Sequence, residues 1–185
     1  MKVAFVIVVV VLATAVTVAV SGSQDARSTP NGGGASAARA AAVGCRGQVR
    51  QPIARAGRDD VVVGGVLMRG AKFYAGRDPS EFEPGGARDG AAKIGVVLRP
   101  RTRLVLSVAP ADRRKASLTY TRSSRDAKRV RDGHSAVRFK PCFTDAPSAF
   151  PGGMVLSGPG CVRVRLAVNG RAPVTRRLAF GRGSC

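Results

Sequence analysis

The sequence predicts an all-β fold: an antiparallel β-sandwich of the immunoglobulin-like kind, preceded by an N-terminal hydrophobic helix and a flexible linker. Three observations lead there. Beyond residue 45 the apolar residues alternate with polar ones or stand in short β-branched runs; Gly, Pro and Asp punctuate those runs; and no stretch shows apolar residues at helical spacing. Roughly seven to nine short strands follow from that pattern, which suits a two-sheet architecture.

At the N-terminus, Val3 to Val20 is a run of 18 uncharged residues, interrupted only by Thr14 and Thr17 and preceded by Met1-Lys2. It has no polar face at a period of 3.6, so it does not read as a helix of a soluble core. Residues 1–21 read as a signal peptide, with Ala19-Val20-Ser21 as the small residues of a cleavage site, or as an uncleaved signal anchor crossing the membrane. Lys2 and the amino group favour an inside N-terminus, and Arg27 and Arg39 beyond the run weaken that bias. No Cys follows the run directly, against a lipoprotein. Residues 22–44, rich in Gly, Ser and Ala, read as a disordered linker spanning roughly 25–30 Å root-mean-square. The expected location is extracytoplasmic, membrane-anchored or secreted after cleavage.

Residues 45–185 are the expected domain. All four cysteines, Cys45, Cys142, Cys161 and Cys185, lie in it, and an even count in an exported chain reads as disulfides. Zinc would want closely spaced pairs such as CxxC, which are absent. Of the three possible connectivities, Cys142–Cys161 closing a local loop with Cys45–Cys185 clasping the domain ends is the expected one.

The elements follow in order. Val61 to Met68 reads as a buried strand interrupted by Gly64-Gly65 at a bulge or close backbone approach. Asp78 to Gly90 reads as an irregular Pro-rich loop. Ile94, Val96 and Leu98 share one strand face, as do Leu104, Leu106 and Val108, Leu118 and Tyr120, Val137 and Phe139, and Leu178 and Phe180. The clearest alternation is Val162 to Val168, with the valines and Leu166 on one face and Arg163 and Arg165 on the other. Asp132-Gly133 is a hairpin-turn signal.

The chain has 31 Lys+Arg against 11 Asp+Glu, a net charge of +20, and 25 of the cations are Arg. With 44% hydrophobic residues it buries a core rather than remaining a disordered polycation. The Ala, Gly, Val and Arg bias also fits GC-rich coding. Residues 99–131 hold eleven basic residues against Asp112 and Asp126, a local net charge of +9. Arg113, Arg114 and Lys115 fall in one expected loop, and Arg122, Arg125, Lys128, Arg129 and Arg131 in another. Together they form a candidate polyanion-binding surface, facing anionic cell-wall polymers, lipid headgroups or an acidic envelope protein. Nucleic acid is disfavoured, since no basic segment is interleaved with aromatics and export removes the domain from the nucleoid.

Catalytic candidates are few. His134 is the sole imidazole, and a small secreted hydrolase would have to use it, with Asp132 or the Asp78, Glu81 and Glu83 loop supplying carboxylates. The common nucleophile, zinc and nucleotide motifs are absent, and no cofactor is implied. The acidic loop does not have EF-hand spacing for Ca²⁺. The expected protein is not an enzyme.

One resemblance adds to these readings. Asp60 to Gly70, the strand pair Ala92 to Val108, and above all Phe139-Lys140-Pro141-Cys142, Phe150-Pro151-Gly152-Gly153 and Gly160-Cys161-Val162, followed by Leu178 to Gly181 and Cys185, resemble a group of uncharacterised actinobacterial envelope proteins. The resemblance covers roughly residues 45–185 and implies an export segment joined to a disulfide-containing β-sandwich. It transfers no catalytic residue. Gly65 and Met68 depart from it, standing where similar sequences often have Pro and Phe. Gly152-Gly153 is expected to turn the backbone tightly between two cysteines.

Overall fold

The computed structural model describes residues 39–46, 48–50, 55–77, 90–182 and 185. The export segment, most of the linker and the acidic loop with Asp78, Glu81 and Glu83 lie outside the described residues. The described chain is all-β. Its strands are β1 (Ala41–Ala42), β2 (Val49–Arg50), β3 (Val61–Val63), β4 (Val66–Arg69), β5 (Gly90–Lys93), β6 (Gly95–Leu98), β7 (Leu104–Val108), β8 (Ala116–Leu118), β9 (Ala136–Phe139), β10 (Ser148–Phe150), β11 (Gly153–Leu156), β12 (Gly160–Val168) and β13 (Val174–Phe180). Three short 3-10 turns, Pro110–Asp112, Arg122–Ser124 and Val130–Asp132, are the helical elements among these residues. No helix there is long and apolar enough to cross a membrane.

Three sheets form, antiparallel except for the β1–β9 pair. Sheet one has the order β1-β9-β7-β12-β13, sheet two β2-β10-β6-β4-β3, and sheet three β5-β11-β8. Sheets two and three share two chain paths: β5 runs into β6 through Ile94, and β10 into β11 through Pro151-Gly152. Pro151 has no N–H for a ladder, and the Ile94 N–H reaches the Gly152 carbonyl at 3.0 Å, so the paths bend without parting.

Inner side chains of all three sheets meet in one core. The alternating residues Leu104, Leu106, Val108, Val162, Val164 and Leu166 enter it from sheet one, as the period-2 pattern requires. At its centre Phe139 stacks edge-on against Tyr120, centroids 5.1 Å apart, and against Phe150 at 5.2 Å. Tyr120 donates its hydroxyl hydrogen to the Ile94 carbonyl at 2.6 Å, fixing the bend between β5 and β6. Burial pushes this phenol's pKa upward.

Several local expectations change. Val61 to Met68 is a hairpin rather than one interrupted strand: Val61 pairs with Met68 and Val63 with Val66 around Gly64-Gly65, where Gly64 takes a φ of +56°. Met68 is fully buried in the core. Asp132-Gly133 does not make a two-residue hairpin turn; Asp132 ends a 3-10 turn and Gly133 is extended. A side chain at Gly133 would collide with Ser117, which explains the glycine. Gly152-Gly153 is likewise a close approach rather than a tight turn. A Cβ on Gly152 would strike the Tyr120 ring, and one on Gly153 the Ala92 carbonyl oxygen. The fold also starts ahead of Cys45: Ala41 and Ala42 pair with Val137 and Arg138, and Val43 packs against the core.

The disulfides are Cys45–Cys142 and Cys161–Cys185, which corrects the expected Cys142–Cys161 and Cys45–Cys185 pairing. The cause is the β1–β9 alignment. Those strands run parallel, so the segments leaving them emerge at the same end and carry Cys45 and Cys142 to a Cα separation of 5.5 Å. Buried Ser148 holds Cys142 in place, accepting its N–H at 2.7 Å. Cys161 sits in β12 opposite Ala179, and the chain beyond β13 brings Cys185 within 5.4 Å. The segment from 142 to 161 contains β10 and β11 and crosses into the other sheets, which is why it is not a local loop.

Candidate functional site

All eight cations of the expected polyanion surface are exposed: Arg113, Arg114, Lys115, Arg122, Arg125, Lys128, Arg129 and Arg131. Both of their loops flank β8. Arg113, Arg114 and Lys115 follow the Pro110–Asp112 turn; Arg122 and Arg125 sit in and after the Arg122–Ser124 turn; and Lys128, Arg129 and Arg131 lead into and through the Val130–Asp132 turn. Of the eight, Arg131 has an acidic partner among the described residues, an exposed 3.8 Å contact with Asp132. The other seven have no acidic ion-pair partner among the described residues.

Asp112 is drawn away from this surface. It is 3% exposed and accepts the backbone N–H of Arg163 at 2.9 Å and its Nε–H at 2.8 Å. Those bonds outweigh the burial that opposes them, and they hold the carboxyl at about 2, below the ordinary 3.8. The acid at the base of the Arg113-Arg114-Lys115 loop therefore anchors β12, and of the three cations Lys115 is near enough to add to the lowering of its pKa.

Sequence reasoning put Arg163 and Arg165 on one strand face but did not join them to Arg138 and Arg177. Arg138, Arg163, Arg165 and Arg177 project from the outer side of sheet one, with Arg138 opposite Val105, Arg165 opposite Ser107 and Arg163 opposite Arg177. At the far end Arg101, Arg103, Arg138 and Lys140 line a groove of about 590 Å³. The signal was present in the Val162 to Val168 alternation, but the register that aligns β9, β12 and β13 is not written in any one strand.

A cleft of about 440 Å³ lies between the segment after β1 and the turn after β8. Arg46, Gln48, Tyr120, Arg122, Arg125 and Pro151 are among its walls. The Cys45–Cys142 bridge fixes the segment that supplies Arg46 and Gln48. Thr121 also lines this cleft and heads a hydroxyl cluster, with its Oγ1 2.8 Å from Ser124 Oγ and 3.1 Å from Ser123 Oγ.

His134 is half-buried. It bridges Leu118 through both main-chain groups, and its Nε2 lies 2.8 Å from Thr121 Oγ1. A hydroxyl and an imidazole thus meet. No described carboxylate hydrogen-bonds His134, and Asp132 turns to Arg131 instead. Among the described residues no cluster of three or more His, Cys, Asp or Glu side chains could hold a metal ion.

No family model and no curated protein matches this chain.

Proposed function

We propose that this is a non-enzymatic module of the cell envelope, an immunoglobulin-like β-sandwich of the kind seen in the actinobacterial proteins its cysteine segments resemble. In this reading residues 1–21 export it and either anchor it or are cleaved, and the loops flanking β8 adhere to anionic envelope polymers. Two disulfides fit an oxidising compartment. The observation that supports adhesion most directly is the set of eight exposed cations, one of which is paired with an acid. Such a surface attracts polyanions through a long-range field that salt weakens. The test is a variant with Arg113, Arg114, Lys115, Lys128 and Arg129 changed to Gln, assayed for sedimentation with anionic wall fragments at low and high salt. Binding should fall by at least tenfold at low salt; undiminished binding overturns the proposal.

The Thr121–His134 hydrogen bond favours a second reading, a small secreted hydrolase. Among the described residues no carboxylate orients the imidazole. Activated-ester hydrolysis that disappears in both Thr121→Val and His134→Gln, with melting temperature preserved, would replace the first reading with this one.

A further inference from the structure

The first half of β13 is an open sheet edge. Sheet one ends with this strand, and Val174 to Arg177 are exposed. The direction of its main-chain groups follows from β12. Arg163 donates its N–H to Asp112 at 2.9 Å and accepts the Ala109 N–H at 2.8 Å, both on the β7 side. A residue of an antiparallel strand turns both groups the same way, so Arg177, opposite Arg163, turns its N–H and carbonyl away from β12. Thr175, two residues earlier, does the same. Among the described residues no main-chain group bonds to either of them on that side. The Thr175 carbonyl is met instead by the side chain of its neighbour, since Arg176 Nη1 donates to it at 3.2 Å.

An open edge is a template for another strand, and charge decides which strand. Arg176 lies opposite Val164 on the core side of the sheet, and Arg177 opposite Arg163 on the outer side. The edge thus carries a cation on each face. Arg177 also donates to the Cys185 carbonyl at 3.3 Å, and neither arginine is paired with an Asp or Glu side chain among the described residues. A charge on the core side repels an apolar strand. A carboxylate directly opposite, with Cβ atoms about 5 Å apart, answers it. Val174 is also on the core side and 38% exposed, which leaves room for one apolar residue of the same strand. A second copy fits poorly. Residues 171–177 hold Arg171, Arg176 and Arg177 and no acid, so two β13 strands side by side would gather like charges.

We propose that β13 receives an extended acidic segment of a partner protein, added to sheet one beyond this strand, with adjacent acids opposite Arg176 and Arg177 and an apolar residue opposite Val174. Main-chain bonds at Thr175 and Arg177 hold the segment, and the arginines select its charge. The site is separate from the loops flanking β8 and stands or falls without them.

The test is nuclear magnetic resonance of the isotope-labelled, oxidised full-length chain with the acetylated peptide Thr-Val-Glu-Glu-Thr-Val at physiological salt. The Thr175 and Arg177 amides, open to solvent in the free chain, should gain at least about tenfold protection from hydrogen exchange at millimolar peptide, with Arg163 unchanged. Thr-Val-Lys-Lys-Thr-Val should give none. Of two acidic peptides N-methylated on one or the other alternate set of residues, only one should lose affinity, because a strand gives every second N–H to its neighbour. Arg176→Gln with Arg177→Gln should weaken binding by at least about tenfold with the melting temperature preserved. The variant with Arg113, Arg114, Lys115, Lys128 and Arg129 changed to Gln should bind the peptide as the parent does, whatever becomes of its wall adhesion. Equal binding of both N-methylated peptides would show charge attraction alone and overturn the proposal. So would absence of protection at millimolar peptide, or protection of the same amides by dimerisation without any peptide. Loss of peptide binding in the loop variant would move the site to the loops and overturn it as well.

Discussion

The outer sides of sheets one and two are built on opposite principles. Sheet one turns Val105, Ser107, Arg138, Arg163, Arg165 and Arg177 outward, and the arginines there are exposed or half-exposed. Sheet two turns Leu67, Val97 and Ala149 outward, yet these are 4%, 1% and 8% exposed and form a small apolar cluster of their own. The strands show the difference in their composition. Gly95-Val96-Val97-Leu98 is apolar at every position and buried on both faces, whereas β12 alternates and is buried on one. Sheet one also holds three of the four cysteines in or just beyond its strands at Cys45, Cys142 and Cys161, and Cys185 follows β13. One sheet is secured by apolar burial on two sides, and the other by one buried side plus covalent links.

The sharpest way to break this contrast is to place the same charge on each outer face. Val97→Asp should destabilise the domain by at least about 3 kcal/mol, since a carboxylate there is buried without a partner. Ala167→Asp, on the arginine face beside Val105, should stay within about 0.5 kcal/mol. Urea denaturation under oxidising conditions measures both, and equal costs would erase the distinction.

Removing the links should act on sheet one selectively. Replacing Cys45 and Cys142 by Ser should cost about 2–4 kcal/mol, more than the same change at Cys161 and Cys185, because the first bridge closes a chain separation of 97 residues and the second one of 24. Hydrogen exchange should then show β1 and β9 losing protection while β4 and β6 keep theirs; uniform loss would count against a division between the sheets.

A smaller effect is expected at Tyr120, where the two principles meet. Tyr120→Phe keeps the stack on Phe139 and leaves the Ile94 carbonyl without its donor, at a cost of about 1–2 kcal/mol. A melting temperature equal to that of the parent would mean that solvent reaches the bend.

An effect read through pH rather than through denaturant belongs to the acid side of sheet one. Asp112 has its folded value lowered to about 2 from 3.8, so it stabilises the fold above pH 4, and that contribution disappears as pH falls through about 2. Asp112→Asn should therefore be less stable at neutral pH and show a shallower decline between pH 4 and 2. A decline as steep as the parent's would assign the acid sensitivity to another carboxylate.

The legibility of the sequence follows the same division. The inner faces of β6, β7, β9, β12 and β13 could be read strand by strand, because period-2 alternation is a local property. The eight loop cations were equally plain, since charge clusters in a turn-rich stretch have nowhere to go but the surface. Pairings across the fold were not. The disulfide partners depend on β1 running parallel to β9, a contact between residues almost a hundred positions apart. Thr121 meets His134 through the Leu118 bridge, and Arg46 joins Arg122 and Arg125 in one cleft through the Cys45–Cys142 bond. Glycines misled in one direction: Gly133, Gly152 and Gly153 read as turns, whereas three are needed because a ring, a hydroxyl or a carbonyl lies against them.

The bridges join the first cysteine to the second and the third to the fourth, so neither loop encloses or interlocks with the other. For a chain delivered N-terminus first into an oxidising space, this order has a kinetic meaning. Each cysteine finds its native partner in the next one to emerge, and Cys45–Cys142 can close before Cys161 arrives. Oxidation in order of appearance then yields the native pattern directly, with no reshuffling step, whereas a nested pattern would require the first thiol to wait unpaired until Cys185 emerges.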